Sequence, residues 1–194
     1  VQSTAKILYT IYIILTIVEI IFLLIGKMPL FDTLCLSFGT AGTGGFGIKN
    51  DSIASYSTYN QVVITVFMIL FGINFNAYYL LLTKKVMQAA KNEDVRYYLG
   101  IIGLAIVAIA INTREMFTSF GRAFQQAAFQ VGSIITTTGY ATTDFNVWPV
   151  FSKTILVILM FVGACAGSTG GGIKVSRLLI LCKSARKELQ LYLH

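Results

Sequence analysis

Charged residues are scarce in this 194-residue chain, at 12%, while 56% of the residues are hydrophobic. Soluble domains carry roughly 25% charged residues, so the composition excludes an ordinary soluble domain. A helix needs about 20 apolar residues to span a bilayer. The apolar runs at 7–25 and 62–82 reach this length, and the run at 99–111 reaches it only when its flanking residues are included. A fourth run, at 154–182, is interrupted by glycines. The sequence therefore predicts an integral membrane protein.

Histidine and cysteine are also few. The single histidine is His194, and the three cysteines, Cys35, Cys165 and Cys182, lie in or near apolar segments. The absence of a Cys/His cluster argues against a metal centre of that type and against histidine-based nucleophilic catalysis. An odd number of cysteines in such positions indicates no disulfide framework. We therefore predict a protein that is not an enzyme and that has no cofactor.

The basic residues are clustered rather than dispersed. The net charge is +7, and most of the lysines and arginines lie at 84–96, between apolar runs, or at 174–187, within and after the last run. Lysine and arginine are enriched in cytoplasmic segments of membrane proteins, so both segments are predicted to lie in the cytoplasm. This distribution explains the basic excess by topology and argues against a nucleic-acid partner.

The same order of segments occurs twice, with a period of about 94 residues. Each unit reads as a span, a short amphipathic helix, a Gly/Thr-rich loop and a second span. In the first unit these segments are predicted at 5–26, 31–37, 39–47 and 61–83. In the second unit they are predicted at 96–112, 117–132, 133–140 and 152–182. The predicted division of the chain is a membrane unit, a cytoplasmic linker and a second membrane unit, at 1–84, 85–95 and 96–194.

The two Gly/Thr-rich loops are predicted to line a cation path. Threonine and glycine between two membrane spans let backbone carbonyls replace the hydration shell of a potassium-sized ion. Ordinary turns between helices are the alternative, but they do not explain two copies at matching positions. Ala141 stands where a potassium-channel filter has its second glycine, which relaxes the pattern. The predicted filter residues, with a potassium ion as their ligand, are Gly42, Thr43, Gly44, Gly45, Phe46, Thr136, Thr137, Thr138, Gly139 and Tyr140.

A second glycine-rich segment interrupts the last apolar run. Glycine inside a helix costs about 1 kcal/mol relative to alanine, so a continuous helix would be poorly stable there. An unwound intramembrane loop is predicted, and close helix packing through small residues is the alternative. A phosphate-binding loop is disfavoured, because Val175 follows Lys174 where that motif requires Ser or Thr. The loop residues are Gly163, Gly167, Ser168, Thr169, Gly170, Gly171 and Gly172.

Two aspartates follow the predicted filter loops. Asp51 and Asp144 lie six and five residues after Gly45 and Gly139, on the side predicted to be outside. They are predicted either to attract cations to the outer mouth through a local negative field or to act only as solvated cap residues. The sequence leaves both roles open.

The two units, their loops and above all the segment from Gly163 to Lys174 resemble the TrkH/KtrB superfamily of potassium transporters. The resemblance implies four such units around one pore, of which this chain matches the second and third. It also implies that the segment 163–172 is a gate below the filter. Four loops surround an ion, so we expect either that the chain is the middle of a longer protein or that two copies pair.

The resemblance further implies how the protein is placed and assembled. It implies a multi-pass protein of the bacterial inner membrane, in contact with the lipid bilayer. A cytosolic nucleotide-binding regulatory subunit and a homodimer of complete pores are the implied partners. The function predicted is potassium uptake by channel-like conduction. An ion-coupled secondary transporter and a non-conducting structural subunit are the alternatives.

Overall fold

The chain folds into helices joined by loops. The computed structural model describes residues 2–192, and no strand forms within them. The α-helices of this range are α1 (Gln2–Ile25), α2 (Leu30–Ala41), α3 (Thr58–Phe71), α4 (Phe75–Leu82), α5 (Val86–Ala90), α6 (Glu93–Thr113), α7 (Phe120–Ile135), α8 (Val150–Phe161) and α9 (Val175–Tyr192). The predicted all-α fold is confirmed.

Two helical stretches are long and apolar enough to cross a bilayer unaided, namely Lys6–Ile25 and Glu93–Met116. Together α3 and α4 have the length and composition of a third span, but they are bent by 91° at the break between them. The span predicted at 61–83 therefore consists of two helices with a bend between them. Asn74 starts the new helix, because its side-chain oxygen accepts a hydrogen bond from the Asn76 N–H at 2.9 Å and such a cap favours helix initiation.

The two short helices that precede the loops begin at well-defined caps. Pro29 precedes α2 with φ −55°, a value that suits the start of a helix. Ser119 precedes α7, and its hydroxyl accepts a hydrogen bond from the Arg122 N–H at 3.3 Å. Both helices end later than predicted, since α2 continues to Ala41 rather than residue 37 and α7 to Ile135 rather than residue 132.

The last span consists of two helices separated by a loop. α8 ends at Phe161, and α9 begins at Val175. Between them, the Gly163 N–H donates to the Ile173 carbonyl at 2.9 Å, and the Ile173 N–H donates to the Phe161 carbonyl at 3.3 Å. These bonds close the loop at its base. The unwinding predicted from the glycines is present.

Two buried clusters form the core, and each draws side chains from both predicted units. The cluster around α1–α4 includes Phe129 and Tyr140 from the second unit. The cluster around α6–α8 is contacted by Ile69 and Ile73 from the first. The Tyr98 hydroxyl adds a direct link, because it donates to the Ile69 carbonyl at 3.2 Å. The division into units at 1–84, 85–95 and 96–194 stays a prediction, and α6 begins at Glu93, within the predicted linker.

Candidate ion-conduction site

The loops after α2 and α7 repeat the same backbone conformation. In the first loop, φ is 50° at Thr43 and 71° at Gly45. In the second, φ is 58° at Thr137 and 90° at Gly139. Positive φ is uncommon for a β-branched residue and costs of the order of 1–3 kcal/mol. Its recurrence at equivalent threonines indicates that both loops are held in this shape by their surroundings.

Hydrogen bonds at the ends of the two helices also match. The Gly44 N–H donates to the Gly39 carbonyl at 2.7 Å, and the Thr138 N–H donates to the Ser133 carbonyl at 2.9 Å. Both bonds span five residues and close the last turn before the chain leaves the helix. Gly42 ends α2, and its N–H donates to the Phe38 carbonyl at 2.9 Å. Residues that are aligned in the two loop sequences therefore have equivalent backbone torsions and hydrogen bonds.

The two loops touch each other through their backbones. A Cβ atom added to Gly45 would lie 1.9 Å from the carbonyl oxygen of Thr138. Only glycine permits this approach, and its positive φ suits glycine as well. Within residues 2–192, by contrast, no atom lies within 4 Å of a Cβ added to Gly139. The loops are thus neighbours, and the far flank of the second loop is open.

The aromatic residues that end the two loops occupy different environments. Tyr140 is fully buried, and its hydroxyl donates to the Leu36 carbonyl in α2 at 3.2 Å. Its own carbonyl accepts a hydrogen bond from the Ser133 hydroxyl at 2.5 Å. Phe46, at the equivalent position, is 86% exposed. Tyr140 therefore anchors the second loop to α2, the helix that precedes the first loop. Phe46 has no comparable contact in the described part of the chain.

Threonine hydroxyls support the second loop from the protein interior. The Thr136 hydroxyl donates to the Gly132 carbonyl at 2.7 Å, and it lies 2.8 Å from the Thr138 hydroxyl. Both side chains are buried. Buried hydroxyls of this kind fix a loop, because leaving them unpaired costs about 1–3 kcal/mol. These two residues can therefore contribute their backbone to the loop surface while their side chains hold it in place.

The glycine loop of the last span sits in the break between α3 and α4. The Cys165 N–H donates to the Gly72 carbonyl at 3.0 Å, and the Phe75 N–H donates to the Gly167 carbonyl at 3.1 Å. The break frees backbone groups from helical pairing, and the loop satisfies them. This contact between the glycine loop and the break was not predicted from the sequence. Its only local signal was Gly72 and Asn74 inside an apolar run.

Asp94 also contacts the glycine loop, and this contact was not predicted from the sequence. It lies in the first turn of α6 and is buried. Its carboxylate accepts a hydrogen bond from the Ala166 N–H at 3.0 Å, and its carbonyl lies 3.8 Å from the Cys165 sulfur. A buried carboxylate that accepts a backbone N–H orders the segment it contacts. No local sequence pattern links Asp94 to a loop 72 residues away.

The glycine loop is also hydrogen-bonded to both predicted filter loops. The Thr137 hydroxyl accepts a hydrogen bond from the Gly171 N–H at 2.7 Å. The Thr43 hydroxyl donates to the Thr169 carbonyl at 3.3 Å. These are the two equivalent threonines with positive φ. The loop is therefore held by one hydroxyl from each unit.

Several glycines of the loop permit close backbone contacts. A Cβ on Gly163 would lie 2.2 Å from the Gly171 carbonyl, and a Cβ on Gly170 would lie 2.6 Å from the Ala164 Cβ. Lys174, which follows the loop, donates from its ammonium group to the Gly170 carbonyl. Substitution of Gly163 would therefore displace the base of the loop.

The remaining predicted residues of this loop shape its turns. Gly167 and Gly172 have φ of 72° and 73°, in the region that favours glycine. The Ser168 hydroxyl donates to the Cys165 carbonyl at 2.7 Å and closes the turn between them. The structure thus brings the residues of the glycine loop into contact with both predicted filter loops.

The two aspartates predicted for the outer mouth both take part in local hydrogen bonds. Asp144 accepts hydrogen bonds from the backbone and side-chain nitrogens of Asn146, at 2.9 and 2.8 Å, and caps the short 3-10 helix that follows. Asp51 is exposed and accepts a 3.5 Å contact from the Ser55 hydroxyl. These contacts are those of cap and turn residues, and a role in attracting cations remains a prediction.

The sequence matches the family model of TrkH, a cation transport protein, over residues 1–104 and again over residues 97–191. The chain belongs to the TrkH family. This assignment confirms the resemblance drawn from the loops and the glycine segment. It places the chain among multi-pass membrane transport proteins rather than enzymes.

Relatives and solved structures agree with that assignment. The chain is 32% identical over 198 residues to the Trk system potassium uptake protein TrkH of Salmonella typhimurium and 35% identical over 201 residues to that of Vibrio parahaemolyticus. Each match covers 100% of this chain and 41% of the relative. The crystal structure of the potassium transporter TrkH from Vibrio parahaemolyticus superposes with a TM-score of 0.92 at 34% identity, covering 100% of this chain and 42% of that one. The chain therefore spans about two fifths of the length of these relatives.

Proposed function

We propose that this chain supplies two adjacent loops of a potassium-selective filter in a potassium-uptake protein with channel-like conduction. The observation that carries the proposal is the pair of loops with matching backbone torsions, in contact between Gly45 and the Thr138 carbonyl. Carbonyls arranged along such loops replace the hydration shell of a potassium ion. The filter would consist of residues 42–46 and 136–140, and potassium is the transported ion rather than a resident cofactor.

Two features of the loops support a ring with further members. The contact of Gly45 with the second loop has no counterpart at Gly139, whose far flank is open in residues 2–192. Tyr140 packs behind the helix of the first unit, whereas Phe46 is exposed. A preceding unit would cover Phe46, and a following unit would contact Gly139. The chain then represents the second and third of four units, and pairing of two copies is the alternative.

We propose that the glycine loop, residues 163–172, is the gate of this path. It lies directly against both filter loops, through the hydroxyls of Thr43 and Thr137. Irregular backbone at membrane depth is tolerated where it is buried in protein or lines a wet cavity. In this position the loop would obstruct an ion leaving the filter toward the cytoplasm. Opening then requires that these hydrogen bonds break.

The family assignment supports further proposals on assembly and location. We expect the bacterial inner membrane as the location and a homodimer of complete pores as the assembly. A cytosolic nucleotide-binding subunit is the expected regulatory partner. The basic segments 84–96 and 183–187 are the proposed docking surfaces, because they lie on the side predicted to be cytoplasmic.

The proposal is tested with Gly45→Ala in the full-length protein, expressed in a bacterium that lacks its own potassium uptake. The added Cβ would displace the Thr138 carbonyl, so we expect uptake of potassium or rubidium to be lost while the protein remains in the membrane. Gly103→Ala is the matched control, since no atom of residues 2–192 lies within 4 Å of a Cβ at that position. Normal uptake by Gly45→Ala would overturn the filter assignment.

Purified protein in vesicles separates the alternative functions. A conducting pore gives a potassium flux that follows the membrane potential, which contributes about 2.3 kcal/mol per charge per 100 mV. A secondary transporter would instead require a coupled ion in addition to potassium. A structural subunit would give no flux at all. The first result is the one expected here.

A further inference from the structure

An apolar groove runs along the outside of the second unit, between α6 and α8. Its volume is about 720 Å³. The walls are formed mainly by Gly100, Ile101 and Leu104 from α6 and by Ile155 and Ile158 from α8. This groove lies apart from the filter loops and the glycine loop, and the proposed conduction path does not use it.

The groove follows from the way the last span is broken. Because α8 ends at Phe161, it does not extend along α6 as far as Glu93, where α6 begins. Gly100 adds to the opening, because no atom of residues 2–192 lies within 4 Å of a Cβ built at that position. Leu104 is 75% exposed on the same wall. The result is an apolar depression on the surface of a membrane protein.

One cationic side chain lines one end of this depression. Arg96 lines it, is exposed and forms no ion pair within residues 2–192. Tyr97 lies beside it, as aromatic residues do at a membrane interface. Glu93 also lines this end, and its carboxylate is paired with Lys183 at 2.5 Å. The pairing neutralises the one acidic lining residue and leaves Arg96 free to bind an anion.

The length of the groove corresponds to one leaflet. From Glu93 to Leu104 a helix rises about 16 Å, and half of the hydrocarbon core of a bilayer is about 15 Å. The cationic end lies on the side predicted to be cytoplasmic, where anionic headgroups attract basic residues. We propose that this groove binds an anionic phospholipid, with its phosphate on Arg96 and an acyl chain along Gly100 and Leu104.

The combination of apolar walls and one cationic end favours a phospholipid as the occupant. The apolar walls suit a chain of methylene groups, and the guanidinium suits a phosphate because it donates in a planar fork. This inference does not depend on the proposed conduction path.

The test uses the full-length protein purified in detergent and mixed with phosphatidylglycerol or phosphatidylcholine, with bound lipid counted by native mass spectrometry. We expect retained phosphatidylglycerol in the unmodified protein and its loss in Gly100→Leu, whose side chain fills the groove. Gly103→Leu is the matched control, because it is an equally unhindered glycine of α6 that does not line the groove. Both changes raise helix propensity, so neither is expected to prevent folding.

Two further variants examine the headgroup. Arg96→Gln should reduce the preference for phosphatidylglycerol over phosphatidylcholine by about fivefold. Arg114→Gln removes the same charge at the opposite end of the span and should leave the preference unchanged. Equal retention of both lipids by the unmodified protein, or equal loss with Gly103→Leu and Gly100→Leu, would overturn the proposal.

A photo-crosslinking amino acid at position 100 identifies the occupant directly in native membranes. An adduct with the mass of a phospholipid is expected. An adduct with another segment of the same protein, or with a second copy, would show that protein covers the groove and would also overturn the proposal.

Discussion

The hydroxyl oxygen of Thr137 accepts a hydrogen bond from the Gly171 N–H at 2.7 Å, and so joins a predicted filter loop to the glycine loop. Thr43, its equivalent in the first unit, donates to the Thr169 carbonyl at 3.3 Å. Two side chains thus connect the proposed filter to the proposed gate. Each is a single hydroxyl, so each contact can be removed with little change in side-chain shape.

Thr137→Val is expected to loosen the glycine loop and raise resting potassium flux. Valine keeps the shape of threonine but cannot accept the Gly171 N–H. A hydrogen bond of this kind contributes about 1 kcal/mol net, which corresponds to about a fivefold change in the balance between closed and open loop. The measurement is potassium flux into vesicles that contain the full-length protein.

Thr137→Ser is the control for that experiment, because it keeps the hydroxyl. It should restore flux close to the original level. If the serine and valine variants behaved alike, the hydroxyl contact would have no part in closing the loop.

Gly139→Ala tests whether a further loop stands beside the second one. Alanine at φ 90° carries backbone strain of about 1–2 kcal/mol. If a third loop contacts Gly139 as the second contacts Gly45, the added Cβ also displaces a carbonyl there. We therefore expect Gly139→Ala to abolish uptake in the full-length protein as completely as Gly45→Ala. Uptake reduced only modestly would contradict a closed ring of loops.

Glu19→Met is expected to stabilise the protein. Glu19 lies in α1 with 0% exposure, its carboxylate forms no ion pair among residues 2–192, and the neighbouring Thr40 hydroxyl donates instead to the Leu36 carbonyl at 2.9 Å. A buried polar group without a good hydrogen bond costs about 1–3 kcal/mol, so an apolar residue of similar size should stabilise the protein by a comparable amount. Thermal unfolding of the detergent-purified protein should therefore shift to higher temperature.

Glu19→Gln should give a smaller shift, because the amide is still a buried polar group. Destabilisation by the methionine variant would instead show that a segment outside residues 2–192 satisfies the carboxylate.

Tyr56 gives a prediction for the dependence of stability on pH. Its hydroxyl donates to the Asp32 carboxylate at 2.7 Å. Burial, followed by this hydrogen bond to Asp32, raises the pKa of Tyr56 above its ordinary value. Because the folded pKa is the higher one, the stabilisation is fully present below the ordinary tyrosine pKa of about 10 and is lost as the pH rises through the folded value.

Tyr56→Phe should accordingly lower the unfolding temperature by a constant amount from pH 6 to pH 9, and the difference should shrink in stronger alkali. Unfolding scans at several pH values provide the measurement. A difference that already disappears between pH 6 and pH 8 would rule out the tyrosine proton as its source.

Several elements were predicted well because their signals are local. The glycines at 163–172 predicted an unwound segment, since helix propensity depends on each residue separately. The matching of Gly45 with Gly139 followed from spacing, and both have positive φ. The break within the span predicted at 61–83 was not foreseen, because the apolar composition continues across Gly72 and Asn74.

By itself, the sequence determined that the protein is an all-helical membrane protein with two repeated units and two Gly/Thr loops, because composition and spacing act along the chain. The tertiary structure decided what each loop touches. The contact of Thr137 with Gly171 joins residues 34 apart, and that of Thr43 with Thr169 joins residues 126 apart. Such contacts depend on how whole helices pack, and side-chain packing between distant segments leaves no periodic pattern in the sequence.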